Sequence, residues 1–284
     1  QLELVFVVPA SRADEPLPPG LDVFHSTRLV ALEALTNTGQ GYATAARHAQ
    51  APVVVIGEDH SFPQPEWAQA LIERHREGWA AVGAGLDNGN PGSAVSWASF
   101  IINFSAASGG TSGPARYLAS HQTSYKRDLL LGFGDQLPEL LGMEAILQER
   151  LTRMGQGLFL ECKARSLHYN VEPWLKFFFE QRQAPQQYAH LRAQNWPTWR
   201  RWLYSAAAPL IWALRCRRTL GQVAGNDIPP KLLPEVYLAI LSGLAVATWG
   251  EVCGYLFGPG QAAERRFPME FRRHLVVKSQ ELVI

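Results

Sequence analysis

Four consecutive apolar residues, Val53-Val54-Val55-Ile56, are followed at once by Gly57-Glu58-Asp59-His60. Three of the four are the same β-branched type, so the run reads as a buried strand, too short for a helix. Its carboxyl end delivers three polar side chains in a row. In open α/β sheets, ligands sit outside the carboxyl ends of strands. Pro65 then opens a helix to about Glu77, and 80–84 reads as a further short strand. Upstream, 2–8 reads as a buried strand stopped by Pro9, 21–29 as a second short strand, and the Ala-rich 41–49 as a helix. This alternation predicts an α/β domain with a mostly parallel sheet flanked by helices.

Beyond that alternation, 86–122 is rich in Gly, Ser and Asn and reads as a long loop with a short helix near 96–104. An amphipathic helix is expected over 136–154, with Leu140, Leu141, Ile146, Leu147 and Leu151 on its apolar side. Strands are expected at 158–161 and 164–168. The texture changes after residue 175. Residues 1–175 carry 12 Lys+Arg and 18 Asp+Glu, a net −6; residues 176–284 carry 14 and 7, a net +7, and the two give the chain's +1. Two uncharged stretches, 202–214 and 236–250, have 13 and 15 residues, short of the about 20 a spanning helix needs. Their Arg-rich flanks and scattered Trp and Tyr predict helices lying in, or dipping into, an anionic membrane interface. The domains expected are therefore 1–175, catalytic, and 176–284, helical, basic and membrane-associated. Cys162, Cys216 and Cys253 have no metal-ligand or redox spacing, which argues for a reducing compartment.

Glu58, Asp59 and His60 together suit a divalent cation, since carboxylates and imidazole ligate Mn²⁺ or Mg²⁺. The stretch 53–67, VVVIGEDHSFPQPEW, resembles the metal-binding strand end of glycosyltransferase family 2, which has the GT-A fold. There an acidic motif precedes a Pro and a Trp, matched here by Pro63, Pro65 and Trp67. Further segments follow in the family's order: 81–93 with Asn88, Asn90 and Pro91; His121 to Arg127; Met143-Glu144 with Arg150-Leu151; and His168 at a strand end. Near the carboxyl terminus, 251–260 is similar to the end of the apolar helices of bacterial members.

The resemblance implies an inverting transfer of a sugar from a nucleotide-sugar donor to a lipid-linked or polysaccharide acceptor, with Mn²⁺ or Mg²⁺ as cofactor. It implies Glu144 as catalytic base, and Glu58, Asp59, Lys126 and Arg127 on the donor side. Glu58, His60 and His168 would hold the metal, and Asn88, Asn90 and His121 would lie on the acceptor side. It also implies the cytoplasmic face of the cell membrane as location, with no nucleic-acid partner. The family's first nucleotide-binding strand would precede Gln1, and the first strand here ends in Pro9-Ala10-Ser11 where the family has an acid. That departure motivates the alternative of a catalytically inactive, membrane-attached scaffold or glycan-binding protein of the same fold. A nucleotidyltransferase is a weaker expectation, because no Gly- and Lys-rich phosphate cradle is present.

Overall fold

The computed structural model describes residues 2–17, 19–108 and 110–271. The chain runs β1 (Glu3–Pro9), β2 (Ser26–Leu32), α1 (Thr38–His48), β3 (Val53–Val55), β4 (Ser61–Pro63), α2 (Trp67–His75), β5 (Ala81–Asn88) and α3 (Ala94–Phe104). It continues through β6 (Gly113–Ala115), β7 (Thr123–Lys126), α4 (Arg127–Leu131), α5 (Leu137–Leu141), α6 (Glu144–Arg153) and β8 (Leu158–His168). Five helices end it: α7 (Trp174–Arg192), α8 (Thr198–Ala206), α9 (Ala208–Val223), α10 (Leu233–Phe257) and α11 (Ala262–Phe271).

The alternation of strands and helices is present, but the main sheet is mixed rather than mostly parallel. Its order is β3-β7-β5-β8-β4, with β6 pairing β8. Of its described pairings, β5 with β8 is parallel and the other four are antiparallel. The reason lies in short strands hidden in loop-like sequence. β7 sits at the end of the Gly/Ser-rich region, and β4 consists of Ser61-Phe62-Pro63; neither has an apolar alternation that would announce it. Both run back against their neighbours. β1 and β2 form a separate two-stranded parallel sheet, in which every residue of β1 is half-buried.

Two other expectations change. The helix foreseen over 136–154 is broken at Gly142-Met143, so Glu144 falls in the first turn of α6 instead of mid-helix. The stretches 158–161 and 164–168 form one strand, with a register shift against β5 that absorbs residues 162–164 as a bulge.

The carboxyl-terminal helices are built into the fold. α3, whose Val95, Trp97, Phe100 and Ile101 are buried, shares one apolar cluster with Phe177 of α7, Cys216 and Val223 of α9, and Val236, Ile240 and Leu244 of α10. The 15-residue apolar stretch foreseen at 236–250 is the middle of a 25-residue helix. Glu251, which interrupts it in sequence, is buried and neutralised by Arg215 at 2.6 Å. α8 and α9 run back along α10: Tyr204 meets Tyr255, and the Trp212 indole N–H donates to the Leu241 carbonyl at 3.2 Å. The three cysteines are free and buried.

Candidate metal and base site

β3 ends two residues before Gly57, so Glu58 emerges at its carboxyl end, and β4 then pairs antiparallel with β8, Ser61 facing His168. That register brings the side chains of Glu58, His60 and His168 together. His60 Nε2 lies 3.1 Å and His168 Nε2 3.6 Å from Glu58 Oε2. The two rings meet edge to face at 5.0 Å.

The other nitrogen of each ring is already committed. His60 Nδ1 is 3.0 Å from Asp59 Oδ1. His168 Nδ1 is 3.0 Å from Asn170 Oδ1, and the amide of Asn170 is oriented by donating to Asn88 Oδ1 and to the His168 carbonyl. Both Nδ1 atoms face acceptors, so a neutral ring with its hydrogen on Nδ1 turns its Nε2 lone pair to Glu58 Oε2, whereas a protonated ring donates its Nε2–H to that oxygen. That oxygen, Glu58 Oε2, is buried without an aligned hydrogen bond. With neutral rings the three groups converge as acceptors and suit a cation between them; with protonated rings the imidazoliums themselves balance the carboxylate. Ligand atoms about 2.1 Å from a common ion at 90–110° lie about 3.0–3.4 Å from each other; the two imidazole–carboxylate spacings are near this, and the three ligand atoms lie within 4.8 Å of one another. The donor set, one carboxylate and two imidazoles with oriented outer nitrogens, fits a divalent cation.

Beside this triad sits Glu144, 1% exposed. The backbone N–H of His121 donates to its Oε1 at 2.8 Å and the Tyr125 hydroxyl to its Oε2 at 2.6 Å. The His121 ring lies between the two carboxylates: its Nε2 is 3.0 Å from Glu58 Oε1 and its Nδ1 3.6 Å from Glu144 Oε1, with the Tyr42 hydroxyl 3.4 Å from the same Nδ1. His121 and Gln122 have φ of 67° and 52°, a left-handed conformation unusual outside glycine. The turn is pinned by Gln122 N–H to the Ile56 carbonyl at 2.8 Å.

The two carboxyls are pushed apart in acidity. Burial raises Glu144 above its ordinary value, against the pull of His121 and the Tyr125 hydrogen bond. Burial also acts on Glu58, but the facing His121 and His60 overcome it and hold that carboxyl well below the usual range. One stays ionised to face positive charge; the other is poised to take a proton.

A cavity of about 260 Å³ joins these groups, with Glu58, His60, His121, Glu144 and His168 in its wall. Its far side is formed by α7, α10 and α11, through Gln181, Tyr188, Glu251 and Arg266 among others.

Other residues singled out in the sequence lie outside the cavity. Asp59 is exposed and orients His60. Asn88 and Asn90 belong to a network with Ser96 and Asn170 behind His168: Asn90 accepts from the Asn170 N–H at 2.7 Å and donates to its carbonyl at 2.8 Å. Lys126 and Arg127 are on the wrong end of the sheet. β7 is antiparallel to β3, so its His121 end meets Glu58 while Lys126 pairs with Val53 at the start of β3. Lys126 donates to the Gly78 carbonyl, and Arg127 to those of Ala46 and Arg47. The sequence reading missed Tyr42, Asn170 and Gln181. Only Asn170, two residues past His168, had a local signal.

No protein-family model and no curated protein matches this chain.

Proposed function

We propose that this chain is a metal-dependent, inverting glycosyltransferase of GT-A type, acting on a nucleotide-sugar donor and a lipid-linked or glycan acceptor at the cytoplasmic face of the cell membrane. The observation that carries the reading is the juxtaposition, in one cavity, of a Glu58/His60/His168 cluster able to ligate a cation and a buried carboxylate, Glu144, whose affinity for protons is raised. Glu144 would take the proton of the acceptor hydroxyl as that oxygen attacks the anomeric carbon. Tyr125 and the His121 N–H hold it in place through both carboxylate oxygens. A Mn²⁺ or Mg²⁺ ion held by Glu58, His60 and His168 would supply charge stabilisation for a departing diphosphate.

The test is release of nucleoside diphosphate from a panel of nucleotide-sugars with Mn²⁺. Glu144→Gln should lower turnover by at least about 10²-fold, the lower range of general-base contributions. His60→Ala should abolish the Mn²⁺ response. Full activity in both variants would remove the assigned roles.

A second reading, an inactive glycan-binding scaffold, is favoured by one observation: Lys126 and Arg127, the basic pair expected to hold diphosphate oxygens, are engaged by backbone carbonyls away from the cavity. Calorimetric titration decides. Binding of a nucleoside diphosphate with Mn²⁺ supports the enzyme, and no heat with any of them supports the scaffold.

A further inference from the structure

Arg266 of α11 is the only lysine or arginine among the described residues of the cavity wall. The carboxylates around it do not use up its donors. Its Nη2 lies 3.3 Å from Glu270 Oε1, a long contact within its own helix, and its Nε is buried without a hydrogen-bond partner. Other acids of the wall are met elsewhere: Glu251 by Arg215 at 2.6 Å, and Glu144 by the Tyr125 hydroxyl and the His121 N–H. A charged donor left buried and unmatched is costly, so its retention here asks for an acceptor that the chain does not supply. Arg266 also stands on the cation side of the cavity. α11 packs against α7 and touches α1. Burial pushes the Tyr42 hydroxyl of α1 up in pKa, Glu58 and Glu270 act the same way and Arg266 acts against them, which puts the α11 pair close to that hydroxyl. Tyr42 is in turn 3.4 Å from His121 Nδ1, and His121 Nε2 is 3.0 Å from Glu58 Oε1.

We infer that Arg266 binds a phosphoryl group of the ligand in this cavity, the role that the sequence had pointed to Lys126 and Arg127 for. Those two are held by backbone carbonyls at the far end of the sheet. The planar guanidinium fork presents parallel N–H donors to two phosphoryl oxygens at once, and the anion's charge offsets that of the buried arginine, which a neutral hydroxyl does not. The helical region thereby contributes a binding group to the site and does more than cover it. The inference deepens the transferase reading and rests on it for the source of the phosphoryl group, which is either the donor diphosphate or the phosphate of a lipid-linked acceptor. Binding of a phosphoryl anion by Arg266 does not itself depend on turnover.

Calorimetric titration of the full chain with Mn²⁺ present uses inorganic pyrophosphate as the probe for the donor and butyl phosphate as the probe for a lipid phosphate. Arg266→Gln should weaken at least one of them about tenfold or more, the equivalent of one hydrogen bond to a charged group. Arg266→Lys, which keeps the charge and loses the fork, should fall between wild type and Arg266→Gln. A loss with pyrophosphate assigns the donor as source, and a loss with butyl phosphate alone assigns the acceptor. Because a substitution in α11 can loosen the helix, the Nε–H resonance of Arg266 in ¹⁵N-labelled wild-type chain, identified by its absence from the Arg266→Gln spectrum, is followed as well; it should move when the bound probe is added. No binding of either probe, or binding undiminished in Arg266→Gln, overturns the inference. Weaker binding in the variant beside an unmoved wild-type resonance reports a loosened helix and overturns it too. Arg266-dependent binding in a chain that releases no nucleoside diphosphate from any donor leaves the phosphoryl site standing and removes only the transferase reading.

Discussion

His121 does two jobs with one unusual backbone conformation. Its N–H reaches Glu144 because φ is positive, and its ring reaches Glu58 because the turn is pinned to the end of β3. Glycine and alanine separate the two roles. His121→Gly keeps the left-handed turn at no steric cost and loses the ring, whereas His121→Ala loses the ring and strains the turn by about 1 kcal/mol. Both variants should weaken Mn²⁺ binding in calorimetry, and Ala should have the lower melting temperature; equal melting temperatures would show that the turn tolerates any residue. Glu144 gives a pH prediction with a definite sign. Its folded-state pKa lies above the ordinary 4.5, so as a base it becomes competent only as pH rises through that raised pKa, and the acid limb of turnover follows it. In the metal-free chain the same shift favours folding at low pH and is lost as pH rises through the folded value. The melting temperature of wild type relative to Glu144→Gln should therefore fall across that interval.

Among the helices, α7 and α10 approach closely because α10 places glycines at the contact. A Cβ at Gly254 would collide with the Gln186 carbonyl and lie 2.8 Å from Ala189 Cβ, and one at Gly250 would collide with the Arg182 carbonyl. Helix propensity favours Ala over Gly by about 1 kcal/mol, but overpacking against backbone costs about 1–3 kcal/mol. Overpacking wins, so Gly254→Ala should destabilise the fold. Gly221 on α9 has open space around its Cβ position, and Gly221→Ala should stabilise by up to about 1 kcal/mol. Denaturant melts of the pair give opposite signs. The α7–α10 spacing also bears on function, since Gln181 and Glu251 form the cavity roof from these two helices.

At the scale of the molecule, the outward surfaces of α8, α9 and α10 are apolar where α3 and α7 do not cover them. Trp202 is 61%, Leu210 63%, Leu238 60% and Trp249 58% exposed, with exposed Arg217 and Arg218 nearby in sequence on α9. The segment Pro230–Phe257 is long and apolar enough to cross a membrane by length and composition, yet 56% of its apolar window is buried in protein. Insertion as a lone spanning helix would strip α3 and Phe177 of their packing. The membrane-surface location we propose would take the form of a helical layer lying on an anionic surface, which is compatible with both facts. Co-sedimentation with vesicles of phosphatidylglycerol and phosphatidylcholine should retain the chain, less so at high salt. Trp202→Glu with Trp249→Glu should release it without lowering its melting temperature. Retention of this double variant would show that another surface binds.

The strand-and-polar-triplet pattern of 53–60 and the helices expected at 41–49 and from Pro65 to about Glu77, found at Thr38–His48 and Trp67–His75, were legible from residue order, because local periodicity decides them; that His168 stands beside Glu58 and His60 was expected only from the family resemblance. Strand direction was not legible. β4 and β7 are three and four residues long, and pairing partners, not apolar alternation, make them strands. That pairing decided the rest: antiparallel register carried His121 to Glu58 and took Lys126 and Arg127 to the far end, and the break at Gly142 turned Glu144 into the cavity. Gln181 and Arg266 entered the site through helix packing across more than a hundred residues of chain, a contact set by complementary surfaces that no local window of sequence contains.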